Sequence, residues 1–201
     1  MPLPLEQHVR MVLLEKNRGQ RLYEAVAEGW EAFKRNQPRR GLWIRKSTTR
    51  AMVWEEVASR LAALADDDGV EVLDHSDTRS LIFDDEVLVR VKHADVQLVT
   101  QNVPTAEAVE YDDHAVDLFG RTGLQRVRLC YILDQFETKL EWVGIAAHHK
   151  GRLLWKIELE TDGLADSEST LPIDAPEVDT TKLVRIKKSA EDEKKKKDRE
   201  G

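Results

Sequence analysis

The sequence predicts an α+β fold: N-terminal helices packed on an antiparallel β-sheet of about five to six strands, then a disordered charged C-terminal tail. Three observations predict it. Apolar residues recur with a helical period up to Ala65 and with a period of two from Val70 onward. The later strands follow one another on short turns, and apolar content falls away after Glu160. The chain divides accordingly into a helical segment (1–38), an α+β core (39–160) and a tail (161–201), acidic first and then basic.

From Leu3 to Asn36, Leu5, Val9, Val12 and Leu13 share one helical face, the Asn17-Arg18-Gly19 step interrupts it, and Leu22, Val26, Trp30 and Phe33 resume the stripe. The pattern describes two helices or one kinked helix ending before Pro38. Ser47-Thr48-Thr49 are good capping residues for a helix over 50–65 with Val53, Val57, Leu61 and Leu64 inward. Asp66-Asp67-Asp68-Gly69 ends it. Strands are expected over 70–73, 80–83 and 87–92, with Asp84-Asp85-Glu86 joining the last two. A short helix over 106–111, capped by Thr105, precedes a meander of strands over 125–133, 140–149 and 153–160, with a turn at Lys150-Gly151. The final SAEDEKKKKDREG has nothing to bury.

Composition narrows the function classes. The 201 residues, 41% hydrophobic and 34% charged, suit one ordinary core. The net charge of -7 conceals a split: from Lys182 onward there are 9 basic and 5 acidic residues, leaving 22 basic and 33 acidic before it, a charge of -11. An acidic body argues against non-specific nucleic-acid binding as the main activity, because neutralising phosphates needs a clustered positive surface. The lone Cys130 offers neither a disulfide framework nor a cysteine-based zinc site, which suits a reducing cytoplasm. The first twenty residues are too polar for a secretory leader, and nothing approaches the roughly 20 apolar residues that span a bilayer. A soluble cytoplasmic protein is the expectation.

The hairpin LIFDDEVLVRVKHAD (81–95) places acids ahead of Arg90, Lys92 and His93, as metal-dependent nucleases of the PD-(D/E)xK arrangement do. That chemistry needs an acid two residues before the lysine on the same strand face, with an aspartate across the hairpin. Here Arg90 stands in that position, and Glu86 lies roughly 20 Å from Lys92 along an extended chain at about 3.3 Å per residue. On this reading Val87, Val89 and Val91 face the core while Arg90 and Lys92 are solvated. A divergent nuclease using Asp84, Asp85 and Glu86 stays as the alternative.

Other candidates are weaker. His148 and His149, neighbours on a strand, point to opposite faces and cannot share a metal ion, so an exposed pair flanking a turn is expected. His114 beside Asp112, Asp113 and Asp117 could hold a divalent cation, although acidic helix ends are commonly just solvated. There is no glycine-rich phosphate loop, nucleophile elbow or HExxH motif, and neither a metal nor a cofactor is assigned. The segment with Arg39, Arg40, Arg45, Lys46 and Arg50 carries no acid and could contact a nucleic-acid backbone or an acidic protein; otherwise Leu42, Trp43 and Ile44 pack and the arginines pair with the body's carboxylates. Trp30, Trp43, Trp54, Trp142 and Trp155 occupy apolar positions of the expected elements.

Over roughly 40–160, the order of VRVKHAD, an Asn-x-Pro-Thr helix start at Asn102, EAVEYDD, CYILD and LLWKIEL resembles a group of bacterial proteins of about this length. The resemblance implies one half of a toxin-antitoxin-like or phage-defence pair, whose partner is encoded alongside and carries a helix-turn-helix and a zinc-peptidase-like domain. It brings no catalytic residues. The expectation is therefore an interaction protein, the toxin-like or effector half, with catalytic activity left open, that contacts its partner or target through Arg90, Lys92, His93, Asn102 and Thr105, polar residues where a sheet gives way to a loop.

Overall fold

The computed structural model describes residues 3–75, 78–100, 106–115, 118, 120–161 and 163–164. Helices α1 (Glu6–Leu14) and α2 (Arg18–Asn36) are separated where Lys16 and Asn17 take left-handed φ values of 53° and 55°. Two helices therefore form, and α2 stops at Gln37 because the residue before Pro38 is pushed out of helical ψ. Helix α3 (Lys46–Ala62) begins four residues earlier than its apolar stripe suggests, so Ser47-Thr48-Thr49 lie in its first turn, and Arg45 occupies the N-cap without a side-chain bond. All seven apolar positions expected inward that fall on α2 and α3 are buried, as is Leu64 in the 3-10 turn after α3, whereas Leu5 of the first stripe is exposed.

Strands β1 (Val70–His75), β2 (Thr78–Phe83), β3 (Val87–His93), β4 (Gln125–Leu133), β5 (Leu140–His149), β6 (Arg152–Glu160) and the two-residue β7 (Gly163–Leu164) form one sheet in chain order. The rest of the expected tail, from 165, lies outside the described residues. The sheet is mixed rather than wholly antiparallel: β3 and β4 run parallel, with Arg90 beside Arg128 and His93 beside Tyr131. The physical reason is the long 94–124 connection, which contains α4 (Ala106–Asp112) and so returns the chain to the starting end of the sheet, as parallel pairing requires. The Lys150-Gly151 turn forms as expected, both residues having positive φ.

Val87, Val89 and Val91 of β3 and Val127, Leu129, Tyr131 and Leu133 of β4, with Leu81, Phe83, Ile145 and Ile157, pack against α1, α2 and α3 in the main core. The N-terminal helices thus share their core with the sheet. Close helix packing is enforced at Gly29, where an added Cβ would stand 2.7 Å from Val57 Cγ2. The even-numbered face carries two smaller clusters, around Leu88 and Tyr111 and around Cys130 and Ile132. Because both faces are covered, β3 is buried through five of its seven residues.

Candidate functional site

Period-two alternation puts Arg90 and Lys92 of β3 and Arg126 and Arg128 of β4 on the even face, beneath the connection that carries α4. Arg90 is 3% exposed, not solvated. Its guanidinium lies 4.3 Å from the Tyr111 ring centroid, its Nε donates to Ser80 Oγ at 3.3 Å, and Nη2 is 3.1 Å from Glu107 Oε1. Arg126 donates to the backbone oxygens of Glu110 (2.9 Å) and Asp113 (2.8 Å), capping the end of α4. Arg128 donates to Thr100 Oγ1 at 2.7 Å and to the Asp112 carboxylate. The expectation of a wet face failed because the parallel connection lays a helix over it. Arg90, expected to be solvated, joins Arg126 and Arg128 in fastening that helix.

The histidines are drawn into the same layer. A bulge between Ala147 and His148 breaks the alternation, and His148, 6% exposed, donates from Nε2 to Leu98 O at 3.0 Å. It is not an exposed turn residue. Its Nδ1 has no hydrogen-bond partner, and burial with Arg128 nearby pushes its pKa down to about 4. His114 is also buried and donates from Nε2 to His148 O at 2.8 Å. Asp117 lies outside the described residues, and among those described no three His, Cys, Asp or Glu side chains form a group able to hold a metal.

At the carboxyl ends of the parallel pair the sheet opens. A cleft of about 900 Å³ lies along α3, with Ala51, Ala58 and Ala62 giving it low relief and Lys92, His93 and Tyr131 at one wall. His93 and Tyr131 meet edge to face, their ring centroids 5.5 Å apart. The Tyr131 hydroxyl is buried without a hydrogen-bond partner, and burial raises its pKa. Burial lowers Lys92, reinforced by Arg90 and Arg128, and takes His93 down to about 4, reinforced by Arg50. Arg50 pairs with Glu137 at 2.9 Å, while Arg79 grips Asp74 at 2.6 Å and donates to Ala58 O at 2.7 Å. Glu55 of α3 and Asp74 of β1 bring two carboxylates to the cleft that holds Lys92.

Of the five residues expected to contact a partner or target, Lys92 and His93 reach this cleft, Arg90 is sealed under α4, and Asn102 and Thr105 lie outside the described residues. The acids of the hairpin are at the other end of β3. Asp84 is bound by Arg18, Asp85 by Arg121 at 2.6 Å and Glu86 by His8 at 2.9 Å. Trp54, Glu55, Asp74, Arg79 and Tyr131 went unsuspected in the sequence, because they converge only once α3 is laid across the sheet.

The basic segment divides. Arg50 enters the cleft, Arg40 donates to Lys34 O (3.1 Å) and Gln37 O (3.3 Å), and Lys46 donates to Gln135 O at 2.8 Å. Among the described residues no carboxylate pairs with Arg39 or Arg45. Trp43 packs beside Phe33 at 6.0 Å, but Leu42 and Ile44 do not pack. The other tryptophans join the core or its margins.

No described helix is long and apolar enough to cross a membrane. Compared with protein-family models, with curated proteins and with solved structures, the chain matches none.

Proposed function

We propose that this chain is a cytoplasmic interaction protein, the toxin-like or effector half of a toxin-antitoxin-like or defence pair, and that the cleft along α3 receives a segment of its partner or target. The supporting observation is the open groove that Lys92 and His93 line, with the buried Tyr131 behind them in its wall. From Ser47 to Ala62 the groove follows α3 for roughly 20 Å at about 1.5 Å per residue, a length suited to an extended chain. Small molecules favour enclosed, mostly apolar pockets. The partner chemistry follows the resemblance: a helix-turn-helix and zinc-peptidase-like protein encoded nearby. Co-expression of the two genes should yield a complex that survives gel filtration. Separate elution at micromolar concentration would refute the pairing.

A second reading, a nucleic-acid-acting enzyme, is favoured by one observation: Glu55, Asp74 and Lys92 share the cleft, whereas the hairpin acids and Lys92 do not meet. It predicts magnesium- or manganese-dependent cleavage abolished by EDTA and by Glu55→Gln, yet untouched by Asp85→Asn. A nucleic-acid-binding accessory working through Arg39, Arg40, Arg45, Lys46 and Arg50 predicts steeply salt-dependent binding without cleavage.

A further inference from the structure

Two exposed segments meet beside the cleft. Lys46 bonds to Gln135 O at 2.8 Å and Arg50 to Glu137 at 2.9 Å, so the stretch before α3 is tied to the turn between β4 and β5. Each segment carries large apolar side chains into water: Leu42 is 78% exposed, Ile44 99% and Phe136 76%. Arg39 and Arg45 flank the first two, with no carboxylate partner among the described residues. An exposed apolar group rimmed by charge marks an interaction surface, since leaving it wet forfeits burial that a fold this well packed obtains elsewhere.

We infer that Leu42, Ile44 and Phe136, on two segments tied by Lys46 and Arg50 and with Arg39, Arg45 and Lys46 flanking the first two in sequence, form a docking knob for an acidic, amphipathic segment of a partner protein. The inference rests on the interaction reading and adds a second contact surface with defined chemistry. Charge complementarity fixes the acidic character, and the aliphatic side chains require an apolar stripe opposite them. Nucleic acid fits less well: leucine and isoleucine offer nothing to phosphates, Trp43 is already packed beside Phe33, and the first 181 residues carry a charge of -11. A second copy of the chain would offer an acidic surface too. However, a knob on an unlike face repeats head to tail without closing, unless the rotation happens to form a ring.

The test is fluorescence anisotropy of the full-length protein with a labelled 18-residue helical peptide bearing leucines at helical spacing and glutamates elsewhere. A lysine-for-glutamate version, a serine-for-leucine version and a single-stranded 20-mer DNA serve as comparisons. The acidic amphipathic peptide should bind best, and Ile44→Asp should weaken it at least tenfold, as loss of an anchor does. The Arg39→Glu/Arg45→Glu double variant should also weaken it, and Lys92→Glu should leave it unchanged. Because Ile44 and both arginines are exposed, melting curves should match wild type. Equal binding of the lysine peptide, indifference to Ile44→Asp, or loss with Lys92→Glu would overturn the knob. DNA binding lost with the arginines but not with Ile44→Asp would overturn it for nucleic acid, and self-association abolished by Ile44→Asp would do so for a second copy. Loss with Lys92→Glu alone would place the peptide in the cleft, so failure of the knob and failure of the cleft reading stay distinguishable.

Discussion

The guanidinium of Arg18, 1% exposed, holds both oxygens of the Asp84 carboxylate and ties α2 to the turn between β2 and β3. Arg18 also donates to Val12 O at 3.1 Å, and Asp84 N donates to Gly69 O at 2.8 Å. Gly69, at φ +76°, is required there: a Cβ would stand 2.1 Å from Asp84 Oδ1. The hydrogen bond from Arg18 holds the Asp84 pKa below the ordinary carboxylate value. The acid that suggested catalysis in the sequence is a structural anchor.

Asp84→Asn therefore tests stability. It keeps a residue that tolerates the turn's left-handed backbone but strands a buried guanidinium, and should cost roughly 3 kcal/mol in urea unfolding. A loss under 1 kcal/mol would mean that the anchor is dispensable.

Arg90→Ala removes the cation between Tyr111, Ser80 and Glu107 and should cost roughly 3 kcal/mol, with faster hydrogen exchange in α4. Wild-type stability would show that Arg90 does not fasten the helix.

Acid should destabilise the fold before its carboxylates titrate. His148 is held at about 4 in the folded chain against about 6.5 unfolded, so between those values the unfolded chain binds a proton that the folded one refuses. Stability should fall as pH drops from about 6.5 to about 4, by roughly 3 kcal/mol for this residue, and His93 adds a loss in the same direction. His148→Gln, which keeps a donor toward Leu98, should flatten the slope measured by unfolding across that range; an unchanged slope would remove His148 as its source.

Tyr131→Phe deletes a buried hydroxyl that has no partner, so stability should hold or rise by up to about 1 kcal/mol. Weaker partner binding with undiminished stability would mark the hydroxyl as a contact group. A clear drop in melting temperature would mean that the hydroxyl is satisfied inside the fold.

The elements were legible because their periods are clean: Leu22, Val26, Trp30 and Phe33 declare a helix face, and Val87, Val89 and Val91 a strand face. The direction of β4 relative to β3 was not, since strand pattern carries no polarity and only the length of the 94–124 connection hinted at it. That one undetermined direction decided the fate of Arg90, Arg126 and Arg128, which alternate like surface residues and lie under α4, while His148 is buried against Leu98 of the same connection. The site was half legible. Lys92 and His93 could be named from the hairpin, but Tyr131, Glu55 and Asp74 come from strands and a helix 18 to 39 residues away, and no local spacing links them.

Isothermal titration of the full-length protein with the neighbouring gene's product, repeated with Lys92→Glu and Tyr131→Phe, bears most directly on the interaction role. A stable complex, weakened at least tenfold by Lys92→Glu while the variant melts like wild type, is the predicted result. No heat of binding, or the same affinity for wild type and both variants, would contradict it.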